Sequence, residues 1–116
     1  MLPFRIQLRA VFYKEAGYWV AHCLEMDVMG HDKTRQQAFT KLDDAIAIHI
    51  ATSFRQNNRS NIFMPADARY FEMYIAGKDV ATGEAVVKLH KEASDDARVS
   101  VESIEAREYT GSSAFA

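Results

Sequence analysis

Between residues 22 and 44 the chain carries side chains that could do chemistry. Glu25, Asp27, Asp32, Asp43 and Asp44 could bridge magnesium ions in a two-metal nuclease site. His22, Cys23 and His31 could ligate zinc, and the same Cys and His could serve as nucleophile and base. Their spacing argues against each of these. Neighbouring residues of a strand point to opposite faces, so His22 and Cys23 do not converge on one ion. Cys23 reads instead as a small buried apolar residue, and no orienting third group or oxyanion loop accompanies it. Asp43 and Asp44 fall on the solvent side of a helical stripe, which makes solvated acids and a contact surface the simpler reading of the carboxylates. The five glycines, at 17, 30, 77, 83 and 111, are too dispersed for a phosphate-binding loop or a dinucleotide fingerprint. No catalytic residue, metal ligand or cofactor is expected.

The same stretch does combine aromatic, thioether and acidic side chains: Tyr18, Trp19, His22, Glu25, Met26 and Asp27. Tyr, Trp and Met are enriched at protein interfaces, and a rim of acids selects a basic partner. These six are the candidate partner-binding residues. Taken singly, Tyr18 or Trp19 also fits a core position.

Positioning them falls to a small set of elements. Phe4, Ile6, Leu8, Ala10 and Phe12 alternate with Arg5, Gln7 and Arg9, the period-two pattern of a half-buried strand. Arg5 and Arg9 on its other side read as a solvated sheet face. "EAG" at 15–17 supplies a turn and "YWVAHC" a second strand, giving a hairpin. A third short strand is expected around Met26 to His31. Thr34 and Gln37 form a Thr-x-x-Gln capping box, and Ala38, Leu42, Ala45, Ile46, His49, Ile50 and Ser53 make the apolar stripe of a helix that runs to about Arg55. The segment 66–76 fits two patterns. Pro65 and Gly77 suit a helix burying Tyr70, Phe71, Tyr74 and Ile75, whereas the alternation of Phe71, Met73 and Ile75 suits a strand; the Pro and Gly placement favours the helix. A C-terminal β-hairpin is expected from "EAVVKLHKE", the turn "ASDDA" and "RVSVESIEAREY". The expected fold class is therefore α+β: an antiparallel sheet with one long helix packed on one face, plus that hairpin.

At 116 residues the chain suits a single domain, 1–116, with 48% hydrophobic residues to fill one core. A net charge of -2 gives no long-range attraction to nucleic acid. The lone cysteine, the absence of a basic and apolar leader pattern in "MLPFRIQLRA" and the absence of a bilayer-length apolar run make a cytoplasmic protein without membrane contact the expectation.

The stretch "GYWVAHCLEMDVMGHDKTRQQAFTKLDDAI" resembles the HicB-like antitoxin domain. Gly17, Tyr18 and Trp19 match the family's opening, Cys23, Leu24, Glu25 and Asp27 its bend, Thr34 and Ala38 its helix start, and Leu42, Asp44, Ala45 and Ile46 its helix. Asp32 and Lys33 depart from the Gly and Asp usual before the capping Thr. The resemblance covers about residues 4 to 54, so residues 1–55 are the family-like core and 56–116 an extension. It implies a partial RNase H-like fold without nuclease activity. A carboxylate in the middle of the first strand would serve that chemistry, and those positions hold Gln7, Leu8 and Arg9. It also implies a partner, a small basic toxin of the HicA mRNA-interferase type whose RNA-cleaving face the antitoxin covers. The C-terminal DNA-binding module of many full-length relatives has no counterpart in 56–116, so operator binding is not expected. The alternatives are an orphan homo-oligomeric module, assembled through unpaired strand edges, and a divalent-metal nuclease using Asp27.

Overall fold

The structure, a computed structural model, describes residues 4–80 and 99–111. The N-terminal alternation forms β1, Phe4–Glu15, and the resumption after the turn forms β2, Tyr18–Cys23. Glu15 pairs with Tyr18 across a two-residue loop in which Ala16 (φ 52°) and Gly17 (φ 85°) both take positive φ, the geometry whose twist suits a tight hairpin. β3, Val28–Asp32, continues antiparallel beside β2.

α1, Arg35–Arg55, starts where the Thr34 hydroxyl accepts the Gln37 backbone N–H at 3.1 Å. It ends in a Schellman motif. The Asn58 N–H donates to the Ser53 carbonyl at 2.8 Å and the Asn57 N–H to that of Phe54 at 3.0 Å, with Asn57 left-handed at φ 53°. Ala38, Leu42, Ile46, Ile50 and Ser53 form its buried stripe. α1 lies so close over β3 that a Cβ on Gly30 would meet the Leu42 nitrogen at 2.3 Å and the Ala38 oxygen at 2.5 Å. Glycine at position 30 is what lets helix and strand touch backbone to backbone.

After a single 3-10 turn at Arg59–Asn61, the segment 66–76 resolves as helix: α2, Ala68–Ala76, with the Asp67 carboxylate accepting the Arg69 N–H at 3.0 Å as its cap. Tyr70, Met73 and Tyr74 share its inward side at helical spacing. Ile75, expected to be buried, falls opposite them and is 73% exposed.

β4, Lys78–Asp79, and β5, Val99–Glu108, complete a five-stranded sheet in the order β3-β2-β1-β5-β4. The class is α+β, but the sheet is mixed rather than antiparallel, because β5 runs parallel to β1. Parallel neighbours need a long crossover, and the chain between residues 15 and 99, α1 included, provides it. Of the expected C-terminal hairpin only the second strand belongs to the described residues; "EAVVKLHKE" and "ASDDA" lie outside them. In β5 the inward positions shift from Val101 to Ile104 and Ala106, three residues and then two. A register shift opposite Ile6 and Gln7, where the pairing steps from Val101 to Ser103, accounts for the change of phase.

Both faces of the sheet are covered, where one was expected. On the first, Ile6, Leu8, Ala10 and Phe12 of β1 pack against Leu42, Ile46 and Ile50 of α1 in one core; each fully buried Leu or Ile there contributes about 1.5–3 kcal/mol. On the second, Val11 and Tyr13 of β1, with Val20 and Leu24, pack beneath Met73 and Tyr74 of α2. β1 is thus apolar on both sides in its C-terminal half, as a central strand must be. The Arg35 guanidinium donates to Glu108, tying the start of α1 to the end of β5. No helix among the described residues is long and apolar enough to cross a membrane.

Candidate functional site

The turn at residues 24–27 leaves β2 and must re-enter β3 within a few residues, and β1 and the second face hold it in place. The Leu24 N–H donates to the Arg9 carbonyl at 2.9 Å, and the Leu24 carbonyl accepts the Ala66 N–H at 2.8 Å, joining the turn to the chain leading into α2. Glu25 accepts the Arg9 backbone N–H at 2.8 Å and the Arg9 Nε–H at 2.7 Å. Arg9 is therefore not a free solvated cation. Its guanidinium lies 5.3 Å from the Phe71 ring centroid and 5.8 Å from that of Tyr74.

This arrangement divides the six candidate contact residues. Tyr18 is 44% exposed, Trp19 half-buried and the Asp27 side chain 49% exposed. Glu25 spends its carboxylate on Arg9. Met26 is in the core under α1, and His22 is 1% exposed on the opposite side of the sheet. Neither offers a surface for direct contact with a partner, which corrects that expectation: Met26 turns inward to the core under α1, and His22, in β2, is covered by Tyr13 and Tyr70. Met29 (51% exposed) and His31, which sequence reasoning did not nominate as contacts, stand on β3 beside Tyr18, with the His31 and Tyr18 rings edge-on at 6.3 Å. Since β3 ends the sheet, its outer edge carries no strand among the described residues.

Behind this surface lies a buried polar chain. His22 Nε2 is 2.7 Å from an Asp27 carboxylate oxygen, and His22 Nδ1 is 3.0 Å from the Tyr13 hydroxyl. A carboxylate only accepts, so in the neutral imidazole Nε2–H donates to Asp27 and the bare Nδ1 accepts from the Tyr13 O–H. Met29 Sδ, at 3.9 Å, is a weaker second acceptor for the same hydroxyl. Tyr70 closes the other side, with its ring 4.3 Å from the His22 ring and stacked on Tyr13 at 5.7 Å and 24°. Burial, and then Tyr70 and Glu15 nearby, push the Tyr13 phenol above the usual tyrosine range, so it stays a neutral donor. The sequence offered no orienting partner for a histidine here. Asp27 is that partner, and it aims His22 at Tyr13 rather than at Cys23. Cys23 is fully buried on the other face, and burial pushes its thiol up to about 12, far from the thiolate a nucleophile needs.

Asp32 is occupied structurally. The Lys41 ammonium reaches Asp32 at 2.9 Å and, with the Lys33 N–H, holds its carboxyl below the usual carboxylate range. Among the described residues no group of three or more His, Cys, Asp and Glu side chains is placed to hold a metal ion.

Tyr13 also forms part of the wall of a cleft of about 710 Å³ at the ends of β1 and β5. Trp19, Tyr70 and Tyr109 add further aromatic walls, and Lys14 and Arg69 supply cations. The signal in the sequence was the aromatic content of 66–76, which was weighed as core packing alone.

No protein-family model, curated protein or solved structure matches this chain.

Proposed function

We propose that the chain is a HicB-like protein-binding domain that neutralises a small basic RNA-cleaving toxin of the HicA type by covering its active face. The observation that carries this reading is the exposed surface of Tyr18, Met29, His31 and Asp27 beside the outer edge of β3, which pairs with no strand among the described residues. An aromatic ring and a thioether supply anchoring area, Asp27 supplies the charge a basic partner selects, and the strand edge offers backbone donors and acceptors. The three antiparallel strands followed by a long helix support the partial RNase H-like reading that accompanies it. The domain does this without catalysis, its acids serving as turn clamps and contacts. Calorimetric titration against a HicA-type toxin, paired with an RNA-cleavage assay, tests it: saturable binding and stoichiometric loss of cleavage are expected. A toxin that cleaves undiminished at excess antitoxin overturns it.

The same edge of β3, unpaired among the described residues, favours a second reading, an orphan module that self-associates by pairing β3 strands across a two-fold axis. Light scattering that gives a monomer at micromolar concentration removes that reading and leaves the first untouched.

A further inference from the structure

His22 and Met29 are paired across β2 and β3, and the Tyr13 hydroxyl reaches both from β1, 3.0 Å from His22 Nδ1 and 3.9 Å from Met29 Sδ. One hydroxyl proton therefore has two acceptors on the same side of the sheet. The first is buried and titratable; the second belongs to a half-exposed side chain of the β3 surface.

The charge on the imidazole decides which acceptor is used. Neutral, His22 gives its Nε2–H to Asp27 and receives the Tyr13 O–H at its bare Nδ1. Charged, it carries a proton on both nitrogens and can no longer accept. Asp27, 2.7 Å away, then serves as counter-ion to a buried cation. The Tyr13 hydroxyl has to turn round: its oxygen accepts the new Nδ1–H, and its own proton needs another acceptor. Burial keeps the phenol neutral, so that proton stays on the oxygen. The Tyr70 hydroxyl on the α2 side is already engaged by Arg69 at 2.7 Å, whereas Met29 Sδ has no other donor among the described residues. The remaining charged or titratable groups nearby are Glu15 on β1, Arg69 on α2 and His31 on β3. Among the described residues none of these three touches the His22 ring, which meets Asp27, Tyr13 and Tyr70.

We propose that His22 is a proton switch for the β3 surface: when its ring takes up a proton from solvent at Nδ1, the Tyr13 hydroxyl turns from Nδ1 to Met29 Sδ and draws the exposed thioether in against the sheet. An unbranched thioether is a good contact because it adapts to what it meets, and a pinned one loses that freedom. The surface therefore holds a partner less well on acidification. That last step rests on the partner reading above; the switch itself does not.

Nuclear magnetic resonance of the full chain, labelled at the histidine ring nitrogens and the methionine methyls, follows both ends of the switch from about pH 8 to about pH 5, the span in which imidazoles titrate. Met29→Leu assigns the Met29 methyl. At the alkaline end His22 should carry its proton on Nε2 alone, at the acid end on both nitrogens, and the Met29 methyl should shift with the same midpoint as His22. Tyr13→Phe keeps the ring and removes the proton carrier, so His22 should still titrate while the Met29 methyl no longer follows it. His31→Gln should leave the coupling intact, which separates it from the exposed histidine beside Met29. Circular dichroism over the same range certifies the fold, and the tautomer of the parent chain and the His31→Gln titration decide the matter even where Tyr13→Phe does not fold. A neutral ring protonated on Nδ1, a Met29 methyl that stays flat or follows His31, or unfolding before His22 titrates overturns the proposal. So does a Met29 response that survives in Tyr13→Phe. No readout uses a partner, so failure of the switch and failure of the partner reading are told apart.

Discussion

The Asp27 carboxylate lies 2.7 Å from Nε2 of the buried His22 imidazole, and Asp27 reaches it from a left-handed backbone, φ 52°. Few L-residues other than Asn and Asp adopt that conformation readily, so one position combines a turn requirement with a hydrogen-bonding one. Asp27→Ala leaves Nε2–H without its partner and strains the turn. Urea denaturation should show a loss of about 1–3 kcal/mol. Asp27→Asn keeps both an acceptor and the tolerance for positive φ, and should lie within about 0.5 kcal/mol of the parent at neutral pH. Equal losses in the two variants would show that the contact does not hold the turn.

Gly30 and Gly17 should respond unequally, and for different reasons, to a methyl group. A Cβ on Gly30 meets the α1 backbone at 2.3–2.7 Å, which no side-chain rotation relieves. Gly30→Ala should cost about 1–3 kcal/mol or more through forced separation of helix and strand. A Cβ on Gly17 meets nothing within 4 Å, so Gly17→Ala costs only the positive φ, about 1–2 kcal/mol. Thermal denaturation of the two variants ranks them, with Gly30→Ala the less stable.

Cys23 should be inert in the folded protein. Its thiol is raised from the ordinary 9.0 to about 12, chiefly by burial, so the native state holds its proton where the unfolded chain has lost it. That stabilisation is complete below about pH 9 and is lost as pH rises toward 12. An aromatic disulfide reagent at pH 8 should label Cys23 only after urea is added. Cys23→Ala should flatten the alkaline fall in stability, and prompt labelling of the native protein would contradict the burial.

The β3 surface should carry partner affinity without carrying stability. Tyr18→Ala and Met29→Ser remove exposed anchors, so each is expected to weaken toxin binding by about 1–3 kcal/mol, roughly fivefold to 150-fold, and to leave the melting temperature unchanged. Substituting the buried Met26 should lower stability first. Calorimetric titration beside thermal melts separates the two effects, and a surface variant that binds at full strength would place the interface elsewhere.

The strands β1 to β3, α1 with its Thr34 cap and the helical state of 66–76 were legible because each has a local cause: alternation, a capping residue, or a stripe at helical spacing. The parallel pairing of β5 with β1 was not, because nothing local in "RVSVESIEAREY" states which strand it will join, and its register shift at Val101–Ser103 breaks the alternation that would have revealed its inward side. At the site, Tyr18 and Asp27 were found at the surface from residue type, whereas the burial of Met26 depends on how a four-residue turn is clamped by Arg9 and Ala66, and that of His22 on the Tyr70 ring of α2, contacts far away in sequence. Tyr13 and Tyr70 escaped notice because core packing and cleft lining call for the same residue types, and only their placement beside Arg69 and Lys14 distinguishes the two.

The parallel seam between β1 and β5 also sets the timetable of synthesis. β1 is synthesised before either of its neighbours; on one side β2 follows at once, but the other edge waits for Val99–Glu108. At ~5–20 residues per second the interval between Glu15 and Val99 lasts about 4 to 17 s. During that time a nascent chain presents the central strand of the finished sheet as a bare margin. A message truncated ahead of the β5 codons would release such a chain permanently, with its stickiest strand half zipped, a form that chaperones and proteases are suited to intercept.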